Sequence, residues 1–207
     1  MPAPVPTSIY QIKVTLNDSK PPIWRRILVP DSISLHQLHT ILQIVMGWTN
    51  SHLHQFIIDD EYYGEPEEED GYSEDLKNEK RYRLNQFVER KGFKFIYEYD
   101  FGDSWEHTIR VEAILPIDPS TRGAKQPQSG RTQYPVCLEG KRACPPEDIG
   151  GVEGYDDLLK IFRDPKHPEH NDMLEEFGDD FDPEFFDIED VNLGLRKYAA
   201  RARMAKL

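Results

Sequence analysis

Apolar and polar positions alternate along residues 8–16, with Tyr10, Ile12, Val14 and Leu16 on one side and Gln11, Lys13 and Thr15 on the other. A period of two is that of a strand buried on one face. Turn-forming residues at 17–22 separate it from a second β-rich stretch, 23–29, in which Arg25 and Arg26 project to opposite faces, and the pair is expected to form a hairpin. The period then lengthens. Leu35, Leu38, Ile41, Leu42, Val45 and Met46 recur every three or four residues, Ser34 supplies an N-cap and Gly47 a stop, which predicts an amphipathic helix lying on the sheet.

Alternation resumes with Leu53, Gln55, Ile57 and Asp59 on one face and His52, His54, Phe56 and Ile58 on the other, so both histidines share a face with apolar neighbours. Residues 84–90 read as a short helix closed by Gly92. Phe93, Phe95, Tyr97 and Tyr99 then mark one face of a strand that turns at residues 100–103, around a glycine, and returns over 105–115. Helical periodicity reappears at 155–162, 171–177 and 188–204, with Gly154 or Asp156 and Asp187 as caps. These elements predict an α+β chain: an antiparallel or mixed β-sheet of about five strands packed against helices, with a helical C-terminal third. One domain is expected over residues 1–207, with its core between 8 and 195.

Two stretches break the pattern. Residues 65–75 are dominated by Glu and Asp, which cannot bury enough apolar area to order themselves, and are expected to form a mobile, solvated loop. The functional alternative is an acidic patch that attracts a cation or a partner. Residues 116–135 are rich in Pro, Gly, Ser, Gln and Arg and are expected to be a long exposed connection between the sheet-forming and helical parts.

Composition narrows the setting. Apolar residues make up 38% of the chain and aromatic residues 11%, enough packing material for a folded protein despite 30% charged residues. No apolar run reaches the roughly 18 residues of a membrane-spanning helix, and residues 1–8 lack the basic and apolar segments of a secretory signal, so the expectation is a cytoplasmic protein with no membrane partner. Cys137 and Cys144 are the only cysteines and are expected to be reduced. A formal net charge of −13 argues against tight nonspecific nucleic-acid binding. The exception is the C-terminus, where Arg196, Lys197, Arg201, Arg203 and Lys206 occur without an intervening acid; they either complement the end of a helix or meet an acidic partner.

The densest chemistry lies in residues 99–107, which hold Asp100, Asp103, Trp105 and His107 around Gly102. Either these are turn formers and core residues, or Asp100, Asp103 and His107 project into one pocket. A second segment, 137–151, joins Cys137, Cys144, Glu147, Asp148, Gly150 and Gly151. Six residues lie between the cysteines, whereas zinc knuckles use two to four. A loop bringing both thiols to His52, His54 or His107 would make a chemically acceptable zinc set; the alternative is two packing cysteines. The glycines lack the Lys and Ser/Thr of a phosphate-binding loop, and no nucleophile elbow or zinc-protease helix occurs. The two segments are expected to converge in space, as a hairpin turn and a glycine-rich loop that can approach another backbone closely.

Taken in order, PPIWRRILVP, LHQLHTILQIVMGW, HLHQF, YDFGDSWEHTI, YPVCLEGKRACPPEDIGGVEGY and HPEHNDMLEEFGDDFDPEFFD resemble the plasmid pRiA4b ORF-3-like family, also labelled an insertion-element passenger of TnpR type. The resemblance covers residues 8–195. It implies a compact α+β domain and singles out His52, His54, Asp100, Gly102, Asp103, Trp105, His107, Cys137, Cys144, Glu147, Asp148, Gly150 and Gly151 without giving them roles. The TnpR label suggests a recombinase, but Ser8 stands alone, Arg25 and Arg26 are the only early arginines, and no helix-turn-helix is evident. The functional expectation is a binding or accessory module with a ligand pocket between residues 100–107 and 137–151. The alternatives are a metal-dependent enzyme with Asp, His and Cys ligands, and an accessory protein in the DNA transactions of a mobile element.

Overall fold

In the computed structural model, which describes residues 5–66, 75–117, 134–178 and 181–204, the period-two segments become strands of one sheet. β1 (Ser8–Leu16) and β2 (Trp24–Pro30) form the expected antiparallel hairpin, and β7 (Trp105–Pro116) pairs with the other side of β1. β3 (His54–Ile58) and β6 (Lys94–Tyr99) extend the sheet beyond β7. Three strands exceed the expected five: β4 (Glu61–Gly64), β5 (Leu76–Asn78) and β8 (Val136–Lys141). The eight run in the order β5-β4-β3-β6-β7-β1-β2-β8, all antiparallel except the β4–β5 pair. β4 and β5 flank the acidic stretch and are too short to carry a readable period. β8 lies inside the segment read as a cysteine loop, so Cys137 sits on an edge strand paired with Ile27. The acidic loop and the exposed connection lie largely in residues 67–74 and 118–133, outside the described residues.

α1 (Leu35–Met46) runs between its predicted caps. The Ser34 hydroxyl accepts a hydrogen bond from the Gln37 amide, the Gln37 side-chain oxygen accepts one from the Ser34 amide, and Gly47 closes the helix at φ 98°. Its stripe of Leu35, Leu38, Ile41, Leu42 and Val45 is buried against Ile12, Val14, Phe56, Tyr97 and Ile109 of the sheet. At about 25 cal/mol per Å² of apolar surface removed from water, this burial holds the helix on the sheet. The helix expected at 84–90 is only a 3-10 turn at Leu84–Gln86, preceded by another at Glu79–Arg81. Leu84 and Val88 are buried, whereas Asn85, Gln86, Glu89 and Arg90 are not, so too few apolar positions support a longer helix.

The C-terminal third is helical: α2 (Gly151–Arg163), α3 (His170–Phe177) and α4 (Ile188–Met204). α2 starts four residues before the predicted 155, because Gly150 and Gly151 take left-handed φ values of 85° and 70° and let the chain turn into the helix early. α4 packs on α1 and β8, burying Leu195 and Ala199, so the basic C-terminal helix is part of the layered structure. No described helix is long and apolar enough to cross a membrane.

Candidate functional site

The two segments expected to converge do meet, through Asp103. Its carboxylate accepts the Ile149 amide at 3.0 Å and the Gly150 amide at 3.2 Å, at the start of α2, where unpaired N–H groups favour a negative charge. A methyl group on Gly151 would stand 2.4 Å from the Asp103 carbonyl oxygen, so glycine is required for this approach. The turn itself differs from the expected one. Asp100 (φ 60°) and Ser104 (φ 52°) hold the left-handed conformations, and Gly102 does not. Asp tolerates this region because its side chain satisfies the turn locally: Asp100 Oδ1 accepts the Gly102 amide at 2.9 Å.

Asp100 Oδ2 is thereby left facing His52. The His52 Nε2 atom lies 3.7 Å from Asp100 Oδ2 and 3.3 Å from Asp148 Oδ1, and these three ligand atoms lie within 4.8 Å of one another. Tyr99 and Glu147 stitch the contributing segments together. The Tyr99 hydroxyl accepts the Ser51 amide at 3.0 Å and the His52 amide at 3.3 Å, and donates to Glu147 Oε1 at 2.5 Å. Burial and the Glu147 carboxylate push the Tyr99 hydroxyl pKa upward. Burial works to raise Glu147, but hydrogen bonds from Thr49 and Tyr99 outweigh it and leave the carboxyl below its usual range.

His52 also borders a cleft of about 350 Å³ lined by His36, His39, Asn50, Leu53, His54, Glu65 and Pro66. Glu79, fully buried, accepts from His36 Nδ1 at 2.7 Å and His54 Nε2 at 2.9 Å beneath it. Burial opposes ionisation of Glu79, yet the two imidazoles prevail and lower its pKa to about 2. His39 stacks on His54 with ring centres 3.4 Å apart, and binds the Tyr97 hydroxyl through Nδ1 and Asn50 through Nε2. Burial, reinforced by His54, lowers its pKa to about 4, so it is a neutral imidazole at neutral pH.

The remaining sequence-derived residues lie elsewhere. Trp105 and His107 are fully buried on β7, packed around Trp48 at ring separations of 6.0 and 5.2 Å, and belong to the core beneath the junction. His107 therefore does not share a pocket with Asp100 and Asp103: alternation along β7 turns residues 105 and 107 inward. Burial lowers its pKa to about 4, and its Nε2 has no hydrogen-bond partner. Cys137 is buried on β8 and Cys144 half-buried, both within electrostatic reach of the buried Arg25. Burial raises both thiol pKa values, which keeps them protonated. The set of His52, His54, His107, Cys137 and Cys144 is not assembled; among the described residues, His52, Asp100 and Asp148 form the one three-residue group with metal-ligand spacing. Sequence reasoning misses His36, His39 and Glu79. The i, i+3 spacing of His36 and His39 on α1 was a legible signal, whereas the burial of Glu79 in a charged stretch was not.

The comparisons with known proteins agree with this architecture. A family model described as plasmid pRiA4b ORF-3-like protein matches residues 8–190. The uncharacterized protein y4hQ of Sinorhizobium fredii (strain NBRC 101917 / NGR234) is 38% identical over 202 residues, spanning 96% of this chain and 97% of that protein. The crystal structure of a protein of unknown function, MM3350 from Methanosarcina mazei Go1, superposes with a TM-score of 0.75 at 36% identity, over 90% of this chain and 98% of that one. From its sequence through the whole of its sheet, the chain belongs to the plasmid pRiA4b ORF-3-like family.

Proposed function

We propose that this protein is a ligand-binding or accessory module whose site lies where the 100–104 turn meets the 147–151 loop and opens, through His52, onto the histidine-lined cleft. The observation that supports this reading most is the position of His52, shared between two features. One is the acidic junction with Asp100 and Asp148, and the other is the cleft of about 350 Å³ beside it. A concave site with convergent polar groups is the usual place for a small molecule to bind, and this one is lined by histidines, Asn50 and Glu65 with Leu53 and Pro66 as its apolar members. Asp103, Gly150 and Gly151 serve as its frame, because their contacts join the turn to α2.

The test compares the wild type with Leu53→Arg in a thermal-shift screen of small carboxylates, phosphates, amines and sugars, run both with and without a chelator. Leu53 lines the cleft and is 54% exposed, so arginine there obstructs the site without touching the core. The expected result is that at least one class raises the wild-type melting temperature by several degrees and leaves Leu53→Arg unmoved. Equal shifts in both proteins, or none from any class, would remove the reading.

A further inference from the structure

His52 Nε2 presents an anomaly. It is shielded from solvent, points toward two carboxylates, and makes a hydrogen bond with neither. Buried polar atoms are ordinarily satisfied, and one left open beside anionic oxygens calls for an explanation. The carboxylates are also short of positive charge: among the described residues, neither Asp100 nor Asp148 is salt-bridged to a Lys or Arg. Donor atoms bound to one ion at about 2.1 Å stand roughly 3.0–3.4 Å apart in octahedral or tetrahedral geometry. The observed 3.3 and 3.7 Å lie within a few tenths of an ångström of that range.

We propose that His52, Asp100 and Asp148 form a three-ligand site for a divalent first-row transition cation at the rim of the cleft. The donor set decides the class. One imidazole with two carboxylates suits zinc or manganese better than copper(I), which prefers sulfur, or calcium, which takes oxygen alone. The three ligands come from three segments: the α1–β3 connection, the β6–β7 turn and the loop before α2. The Asp100 carboxylate has an outer partner, the arrangement that orients metal ligands in proteins, and the backbone carrying the other two ligands is tied down. Asp100 is fixed by the Gly102 amide, the His52 backbone by Tyr99, and the Asp148 loop by Asp103 and by the Tyr99–Glu147 bond. Three protein ligands leave coordination positions for water or for a donor atom of a molecule in the cleft.

This inference rests on reading the junction as a ligand site and names the first component that the site takes. Its test uses the full chain stripped of metal, titrated calorimetrically with Zn²⁺ alone and with Mn²⁺ alone. Saturable binding of one ion per chain is expected, weakened at least ~10- to 100-fold in Asp148→Ala and in His52→Ala. The Asp148 side chain is 76% exposed, so Asp148→Ala loses no packing and costs only the ~1–2 kcal/mol of an alanine at φ 58°, which keeps the experiment decisive if His52→Ala is unstable. Absence of saturable binding of either ion would overturn the proposal. So would binding that is unchanged in Asp148→Ala, including the case in which His36→Ala abolishes it and places the ion at Glu79. Because one arm of the ligand screen is run in chelator, failure here leaves its outcome separate.

Discussion

Single residues fix the junction, and their removal has calculable consequences. Asp103→Ala deprives the Ile149 and Gly150 amides of their acceptor, and should lower stability by about 1–3 kcal/mol, read as a fall of several degrees in melting temperature. Gly151→Ala should cost on the order of 2–4 kcal/mol, because its methyl meets a backbone oxygen and its φ of 70° disfavours a side chain. A melting temperature unchanged in either variant would contradict the clasp. His107 supplies a pH-dependent counterpart. Its folded pKa of about 4 lies below the ordinary 6.5, so above pH 6.5 it is neutral whether folded or unfolded and the stabilisation is complete. As the pH falls from 6.5 toward 4 the unfolded chain takes up a proton that the fold refuses, and stability is lost across that window. His39 acts in the same direction over the same window. His107→Phe should therefore fold at neutral pH and reduce the slope of unfolding free energy near pH 5 by up to ~1.4 kcal/mol per pH unit, measured by denaturant titration at several pH values.

Between elements, two polar side chains do work that apolar packing does not. Arg25, nearly inaccessible, donates to the carbonyls of Val45 at the end of α1 and Lys141 at the end of β8, each at 2.8 Å, and its guanidinium lies 4.2 Å from the Phe186 ring. A planar fork can meet three such demands and an ammonium cannot, so Arg25→Lys should destabilise by about 2–3 kcal/mol in a chemical unfolding experiment, and an unaltered midpoint would refute this role. Asn192 of α4 accepts the Cys137 amide at 2.8 Å and donates to the Cys137 carbonyl at 2.9 Å, satisfying the outer edge of β8. Edge strands left open invite pairing with other chains. Asn192→Ala should lower the melting temperature and increase aggregation on heating, as followed by light scattering.

At the scale of the whole molecule, the net charge of −13 leads us to expect no submicromolar binding to arbitrary duplex DNA at physiological salt. Fluorescence anisotropy with a labelled duplex checks this, and tight, steeply salt-dependent binding would contradict it. Since α4 is packed through Leu195 and Ala199, truncation before Arg196 would strip packing together with charge. Charge reversal at Lys197 and Arg201 is the cleaner control. The sequence by itself determined the layers: the period-two runs of β1, β3, β6 and β7 and the capped 3.6-residue stripe of α1 are local patterns, and local sterics and burial decide them. The expected meeting of residues 100–107 with the 137–151 loop holds only for the turn at 100–104 and the end of the loop at 147–151, where a turn and a pair of glycines allow close approach. Only the tertiary structure decided what gathers there. The short strands β4, β5 and β8 are defined by their partners and carry no period of their own. His107 and the cysteines point away from the junction because strand alternation and neighbouring layers bury them. His52, Asp100 and Asp148 come together through contacts between residues 48 and 96 positions apart, which no spacing in the sequence records.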